Sequence, residues 1–268
     1  MHLHRGAAVD YSERFYRQWM TRPDLERFQV TIGESDLLIL CDENLERLAR
    51  EILAGVRGLI EGHIVRDGGF AAALDPHPVD EDAPPIIQAM AASARRWNVG
   101  PMAAVAGAVA QAVGRGLLEE CETVIVENGG DVFVRSDEPV SFRLYAGEDS
   151  PFSDRIVFEV DACRGLGVCT SSAKVGPSLS YGRADAVVAI AGDAVEADAA
   201  ATALANRVRS GEDVKVIVEE QERGSTLGGL IACAGDSIGF WGEIELRRLD
   251  RNKNDENARE ASPAGRTR

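Results

Sequence analysis

Two neighbouring segments, Ala186-Val187-Val188-Ala189-Ile190-Ala191 and Ala197-Asp198-Ala199-Ala200-Ala201-Thr202, frame the rest of the chain. The first is short, apolar and partly β-branched, which predicts a strand. The second opens an alanine-rich helix that runs to about Arg209. Asp198 and Thr202 are four residues apart, so on a helix they share one face. A carboxylate and a hydroxyl then sit side by side among alanines too small to block access. Hard oxygens of this kind suit Mg²⁺, which takes one or two protein oxygens and leaves its other positions to water and phosphate. A plainer reading serves the same residues: Asp198 as an N-cap, and Thr202 bonded back to the preceding turn.

The loop before that strand, Gly176-Pro177-Ser178-Leu179-Ser180-Tyr181-Gly182-Arg183-Ala184-Asp185, brings Arg183 close in sequence as a cation for a phosphate, or as half of a surface ion pair. Before it stands Gly165-Leu166-Gly167-Val168-Cys169-Thr170-Ser171-Ser172, a glycine-rich approach and short strand whose last residues, Thr170, Ser171 and Ser172, offer hydroxyls and amides. No G-x-S-x-G elbow occurs, and all four histidines lie far upstream, which argues against a Ser-His hydrolase. Nothing near Cys169 in sequence lowers its pKa, so a small buried residue is the simpler role. Further upstream, Thr123 to Glu127 and Val132 to Val134 read as strands around Asn128-Gly129-Gly130-Asp131. Asn-Gly is a strong hairpin signal. The two glycines could also expose amides to a phosphate or nucleotide while Asp131 accepts hydrogen bonds.

Towards the N-terminus, Phe28, Val30 and Ile32 alternate, a turn follows at Gly33-Glu34-Ser35-Asp36, and Leu37 to Cys41 continue as a strand. Asp42 is placed to cap a helix of about twenty residues whose apolar face runs from Leu45 to Ile60. Residues 67–85 read as a loop, acidic at its tip, suited either to cover a site or simply to link two elements. The helix from Met102 to about Leu118 is built of small residues, so it packs backbone-close against a sheet or a ligand. Gly107 in its interior costs roughly 1 kcal/mol relative to alanine, and close approach is the reason to keep it. Residues 1–26 form a polar arm with interleaved aromatics. There Arg5, Arg14 and Arg17 could reach an anion, although a solvated surface position is the simpler expectation. Val214 to Gln221 admit either helix or strand. Gly228 to Leu246 read as a closing hairpin, and residues 250–268 as a polar, disordered tail.

Net charge is −15, from 29 basic and 44 acidic residues. Such a surface repels nucleic acid and anionic membrane, so neither is expected as a partner. The five cysteines have no CxxC spacing, which favours reduced thiols over a disulfide framework. There is no apolar leader and no run of membrane-spanning length, and the expected location is cytoplasmic.

Three motifs now stand in order: Asn-Gly-Gly-Asp at 128–131, Cys-Thr-Ser-Ser at 169–172 and Ala-Asp-Ala-Ala-Ala-Thr at 197–202. Together they resemble the ApbE superfamily, the FAD:protein FMN transferases, and most closely a cytosolic branch of it. That branch is marked by Val99-Gly100-Pro101-Met102-Ala103-Ala104, by Ser178 to Ala186 and by Gly239-Phe240-Trp241-Gly242. The resemblance covers about residues 27–249. It implies an α+β fold with antiparallel sheets backed by helices, related to the T-fold. Two blocks share a layout of strands plus a small-residue helix, which points to an internal duplication. The resemblance also implies a flavin nucleotide, FAD or FMN, near Asn128, Gly129, Gly130, Asp131, Thr170, Ser171 and Ser172, a Mg²⁺ ion on Asp198 and Thr202, and an acceptor or partner protein. The departures are as informative. The His-Ile-Ile-Asp-Pro-type segment of the transferases is here Ser180-Tyr181-Gly182-Arg183-Ala184-Asp185, and their Ala-Lys-Gly-Tyr segment is a lysine-free run at 103–110. Their Met-Gly-Thr entry motif is missing as well. The ligand pocket is therefore expected to outlast the transferase chemistry, with Arg183 as a substitute cation. The three expectations are Mg-dependent pyrophosphate cleavage or FMN transfer, flavin or nucleotide binding without turnover, and a scaffold whose motifs are only structural.

Overall fold

The computed structural model describes Arg17, Met20, and residues 22–173 and 182–249. The expected tail at 250–268, Arg5 and Arg14, and residues 174–181 lie outside these. The strands are β1 (Glu26–Ile32), β2 (Ser35–Cys41), β3 (Val124–Asn128), β4 (Asp131–Arg135), β5 (Val140–Arg143), β6 (Ile156–Val160), β7 (Leu166–Ser171), β8 (Ala186–Ala191), β9 (Gly229–Ala234), β10 (Ser237–Gly242) and β11 (Glu245–Arg248). The helices are α1 (Glu46–Arg66), α2 (Gly68–Ala72), α3 (Pro85–Trp97), α4 (Val105–Leu117), α5 (Ala194–Arg207) and α6 (Gly211–Arg223).

One large sheet runs β1-β2-β3-β4-β7-β8-β9-β10, with every neighbour antiparallel. It consists of two consecutive units of the same plan: two strands, a helical segment, two strands. β1 to β4 with α1 to α4 make the first unit, and β7 to β10 with α5 and α6 the second. The units meet where β4 pairs β7 over three residues, Val132 to Val134 against Val168 to Leu166. This is the α+β, antiparallel, internally duplicated architecture expected from the sequence.

Both faces of the sheet are covered, which explains why β8 and β9 are buried at every position. Leu37, Ile39, Val124, Val126, Val187, Ala189, Leu230 and Ala232 pack on the helices. The alternate residues Leu38, Leu40, Ile125, Val188 and Ile231 pack on the opposite side, beneath the small antiparallel sheet β11-β6-β5. Period-two alternation therefore divides each strand between two cores, both apolar.

Close approach of the helices depends on glycine. A Cβ on Gly107 of α4 would lie 2.2 Å from the Ala194 carbonyl oxygen, and one on Gly167 of β7 would lie 2.3 Å from Ala194 Cα. The amino end of α5 is thus pressed between helix and sheet by two residues without side chains.

Three local expectations change, and the open choice at residues 214–221 resolves. Asp42 does not cap α1; its Oδ2 accepts from the amides of Glu122 and Thr123, at 2.7 and 2.6 Å, and so ties β2 to the approach to β3. The 67–85 stretch contains a short helix, α2, whose cap Asp67 accepts from Gly69. Residues 214–221 are helical, inside α6. Asp198 is not the cap of α5. That role belongs to Asp193, whose Oδ1 accepts from Val195 and Glu196. No helix among the described residues is long and apolar enough to cross a membrane.

Candidate functional site

The seam between the two units gathers most of the polar residues singled out in the sequence. The β3–β4 turn places Gly129 and Gly130 at φ 72° and 105°, a backbone that favours glycine at both positions. Asn128 and Asp131 pair across it and point to the helical face. Asn128 Nδ2 donates to the Ala106 carbonyl at the start of α4, 3.2 Å away. Asp131 Oδ1 accepts from the Thr170 amide on β7, also at 3.2 Å.

Asp198, one turn into α5, reaches the same place from above. Its Oδ2 accepts from the Gly107 amide at 2.9 Å. α4 has no side-chain cap of its own. The carboxylate of a neighbouring helix therefore meets its open amino end, where backbone amides and the helix dipole favour negative charge. A capping role for Asp198 holds, but for α4 and not for the helix that carries it. Thr202 lies one turn further along α5, half-buried.

Burial dominates the electrostatics. It pushes the Asp198 carboxyl up to about 7, against the opposing pull of the Gly107 and Ala106 amides. Burial also raises Asp131 well above the usual carboxylate range, and the Asp198 charge adds to it. Cys169 lies in the same cluster, fully buried, with Sγ 3.5 Å from the Ala194 carbonyl oxygen. Burial and the two aspartates drive its thiol far up, which disqualifies it as a nucleophile.

The remaining candidates separate. Thr170 and Ser171 end β7 half-buried; the Thr170 amide meets Asp131, but its side chain lies on the face of Val188, away from the helices, and Ser171 takes the helical face. Ser172 turns away, its Oγ donating to the Asp185 carbonyl at 2.6 Å. Arg183 is exposed, and its backbone amide donates to the Val208 carbonyl. Asp185, buried, accepts from the Gly235 amide at 3.0 Å and so braces the β9–β10 turn. Nor does the large surface cleft coincide with the seam. At about 680 Å³ it is lined by the 76–81 loop and α3. The loop suspected of covering a site therefore borders a separate hollow. His63 and His77, the two described histidines, belong to that helical region, where both stack edge-on against Phe70.

One further participant, Glu127, has no counterpart among the sequence candidates, and one of the arm's arginines, Arg17, joins it. Glu127 is 1% exposed, and its Oε1 accepts from the Gly130 amide at 2.9 Å. Its Oε2 accepts from Arg17 Nε at 2.6 Å. Arg17 is thus buried in an ion pair and not solvated, as the arm had been read. The one available signal was Glu127 itself, a lone charge in the apolar run Val124-Ile125-Val126. A residue 110 positions away could not be matched to it from sequence.

A family model described as AbpE bacteria matches residues 17–230. The chain belongs to this family. It is an ApbE-like superfamily member. The UPF0280 protein of Methanothrix thermoacetophila is 39% identical over 234 residues, spanning 86% of this chain and 97% of that protein. The UPF0280 protein of Methanosphaerula palustris is 40% identical over 222 residues, 81% and 91% of the two chains. Among solved structures, the flavin transferase ApbE from Vibrio cholerae shares 12% identity, covers 84% and 98% of the respective chains and superposes with a TM-score of 0.48. The ApbE protein of Thermotoga maritima gives 14%, 82% and 97%, and 0.49.

In this ApbE-like chain the donors at the seam are hard oxygens, the Asp198 and Asp131 carboxylates, with Thr202 one turn further along α5. No group of three or more His, Cys, Asp or Glu able to hold a metal occurs among the described residues. Such a set is too sparse for a structural zinc site but fits Mg²⁺, which keeps several water or phosphate oxygens. A cation would also offset the burial, and the Asp198 charge beside it, that raise Asp131.

Proposed function

We propose that this protein binds a flavin nucleotide, FAD or FMN, at the seam, with a Mg²⁺ ion held by Asp198 and Thr202. The observation that carries this is the buried Asp131–Asp198 pair beside the open end of α4 and the Asn128–Asp131 turn, in a chain whose family is ApbE-like. Bound Mg²⁺ would supply charge neutralisation for the phosphates of the nucleotide. The protein's own part is orientation. Asn128 and Asp131 fix the turn to α4 and β7, and Ser171, on the helical face of β7, offers a hydroxyl to the ligand, while Thr170 contributes its backbone amide to Asp131. Ser172 and Asp185 hold the adjoining strand ends in place.

A binder without turnover is the reading we favour over a transferase or a pyrophosphatase. The reason is specific: among the described residues no histidine or lysine joins the seam. His63 and His77 sit beside α2, and Lys215 is on α6 with its ion pair to Glu219. General acid–base work at a pyrophosphate would fall to the two raised aspartates, of which Asp198 is already assigned to the cation. A partner protein that receives or uses the bound flavin belongs to this proposal.

A thermal-shift titration with FAD, FMN and Mg²⁺, separately and together, tests it on wild type and Asp198→Asn. Ligand at 100 times its Kd stabilises by about 2.7 kcal/mol. The expected outcome is stabilisation by flavin that depends on Mg²⁺ and is lost in the variant, with no FMN or AMP released from FAD. Release of FMN or AMP by wild type would restore the enzyme reading. No shift with any combination would end the flavin reading.

A further inference from the structure

The turn at the centre of the site is oriented from outside it. Arg17 Nε donates to Glu127 Oε2 at 2.6 Å, while Nη1 and Nη2 donate to Asp36 Oδ2 at 3.0 Å and to the Asp36 carbonyl at 2.6 Å. Asp36 is fixed in turn by Gln29 and Thr31. Glu127 carries the chain of contacts on to the Gly130 amide at 2.9 Å. Strand alternation shows the side from which this happens. Glu127 pairs across from Leu38, which packs on the core beneath the small sheet. Asn128 and Asp131 face the opposite side, towards α4 and Asp198.

The Gly129–Gly130 peptide is trans, as no cis bond occurs in the described chain. In a trans peptide the amide and the carbonyl point in opposite directions. An amide pulled down to Glu127 sends its carbonyl up towards the helical face. The Gly130 amide is already occupied, and the group that the trans peptide turns the other way is the Gly129 carbonyl, an acceptor.

We infer that Arg17 and Glu127 are positioning residues that lock the Gly129–Gly130 peptide with its carbonyl towards the helical face, and that the ligand group received at this turn is a hydrogen-bond donor of the flavin ring and not a phosphate oxygen. The ligand's identity rests on the flavin reading above; the locking of the peptide does not. With Asp198 assigned to the cation, the acceptor this turn offers a ligand is the Gly129 carbonyl, which takes an N–H donor such as the flavin ring carries and a phosphate lacks.

The test uses full-length protein labelled with ¹⁵N-glycine and two ligands, FMN and riboflavin, the second without a phosphate. In wild type the Gly130 amide proton resonates downfield, as expected for an amide bonded to a carboxylate. Glu127→Gln moves it upfield, Arg17→Ala does the same, and Arg17→Lys restores part of the shift. Glu127→Gln weakens FMN and riboflavin equally, by about tenfold, the scale of one hydrogen bond to a charged group. If Arg17→Ala does not fold, Glu127→Gln and Arg17→Lys still read the peptide. A Gly130 resonance unmoved by Glu127→Gln overturns the locking. A loss confined to FMN, with riboflavin unaffected, places phosphate at the turn and overturns the ring-donor assignment. If wild type binds neither ligand, the ring-donor assignment falls with the flavin reading, and the Gly130 shift decides the locking alone.

Discussion

Asp198 illustrates how one side chain can serve structure and chemistry at once. Its carboxylate closes the amino end of α4 through Gly107, yet its burial favours the protonated form. The sign of the consequence follows. The group titrates near 3.8 when exposed and at about 7 in the fold, so the native state holds a proton that the unfolded chain has released between these values. Native stability therefore falls as pH rises through this window. In metal-free protein kept in EDTA, urea unfolding should show that loss, amounting to up to a few kcal/mol, roughly 1.4 kcal/mol per unit of pKa difference. Asp131, also raised, contributes in the same direction. Asp198→Asn should remove its own share of the pH dependence and leave the share due to Asp131. Superimposable pH profiles for wild type and variant would show that Asp198 does not titrate there.

Among the elements, α4 and α5 carry the tightest constraint, since Gly107 leaves no room between them. Gly107→Ala would put Cβ 2.2 Å from the Ala194 oxygen and 2.9 Å from Asp198 Cβ. Such overpacking is expected to cost roughly 1–3 kcal/mol, outweighing alanine's better helix propensity. Gly58 on α1 provides the contrast. A Cβ there meets nothing within 4 Å, so Gly58→Ala should stabilise by about 0.5–1 kcal/mol. Paired chemical denaturation of the two variants checks both signs. The same elements show what a sequence discloses. The strands and the small-residue helix were legible because alternation and residue size are local properties. The wish of α4 for a close neighbour could be read from Gly107, but the neighbour's identity could not. The caps were misassigned because Asp42 and Asp198 look like local caps, while their acceptor oxygens serve amides 80 and 91 residues away. Of the candidate site, Asn128, Asp131 and Asp198 were found by their motifs and do converge. Glu127 carries no motif, and that Arg17, one of the arginines able to reach an anion, finds it depends on the whole first unit being folded.

At the scale of the molecule, two units of one plan lie side by side, and the polar cluster belongs to neither alone. Asn128 and Asp131 come from the first unit, and Thr170 and Asp198 from the second. The backbone joint between the units is the β4–β7 pairing of three residues, fewer than any other pairing in the large sheet. That brevity has a kinetic meaning. If each unit behaves as a cooperative block, the short joint is the last part to zip on refolding and the first to open in the native state. Amide hydrogens of Val132, Val134 and Thr170 should then exchange through sub-global openings, well ahead of those in the middle of β8 and β9. A ligand that spans both units would slow that exchange. Exchange at the joint as slow as in β8 would instead make the two units one indivisible block. Where they do part independently, occupancy of the pocket and closure of the molecule become a single event, and a protein emptied of its ligand would spend part of its time as two halves on one string.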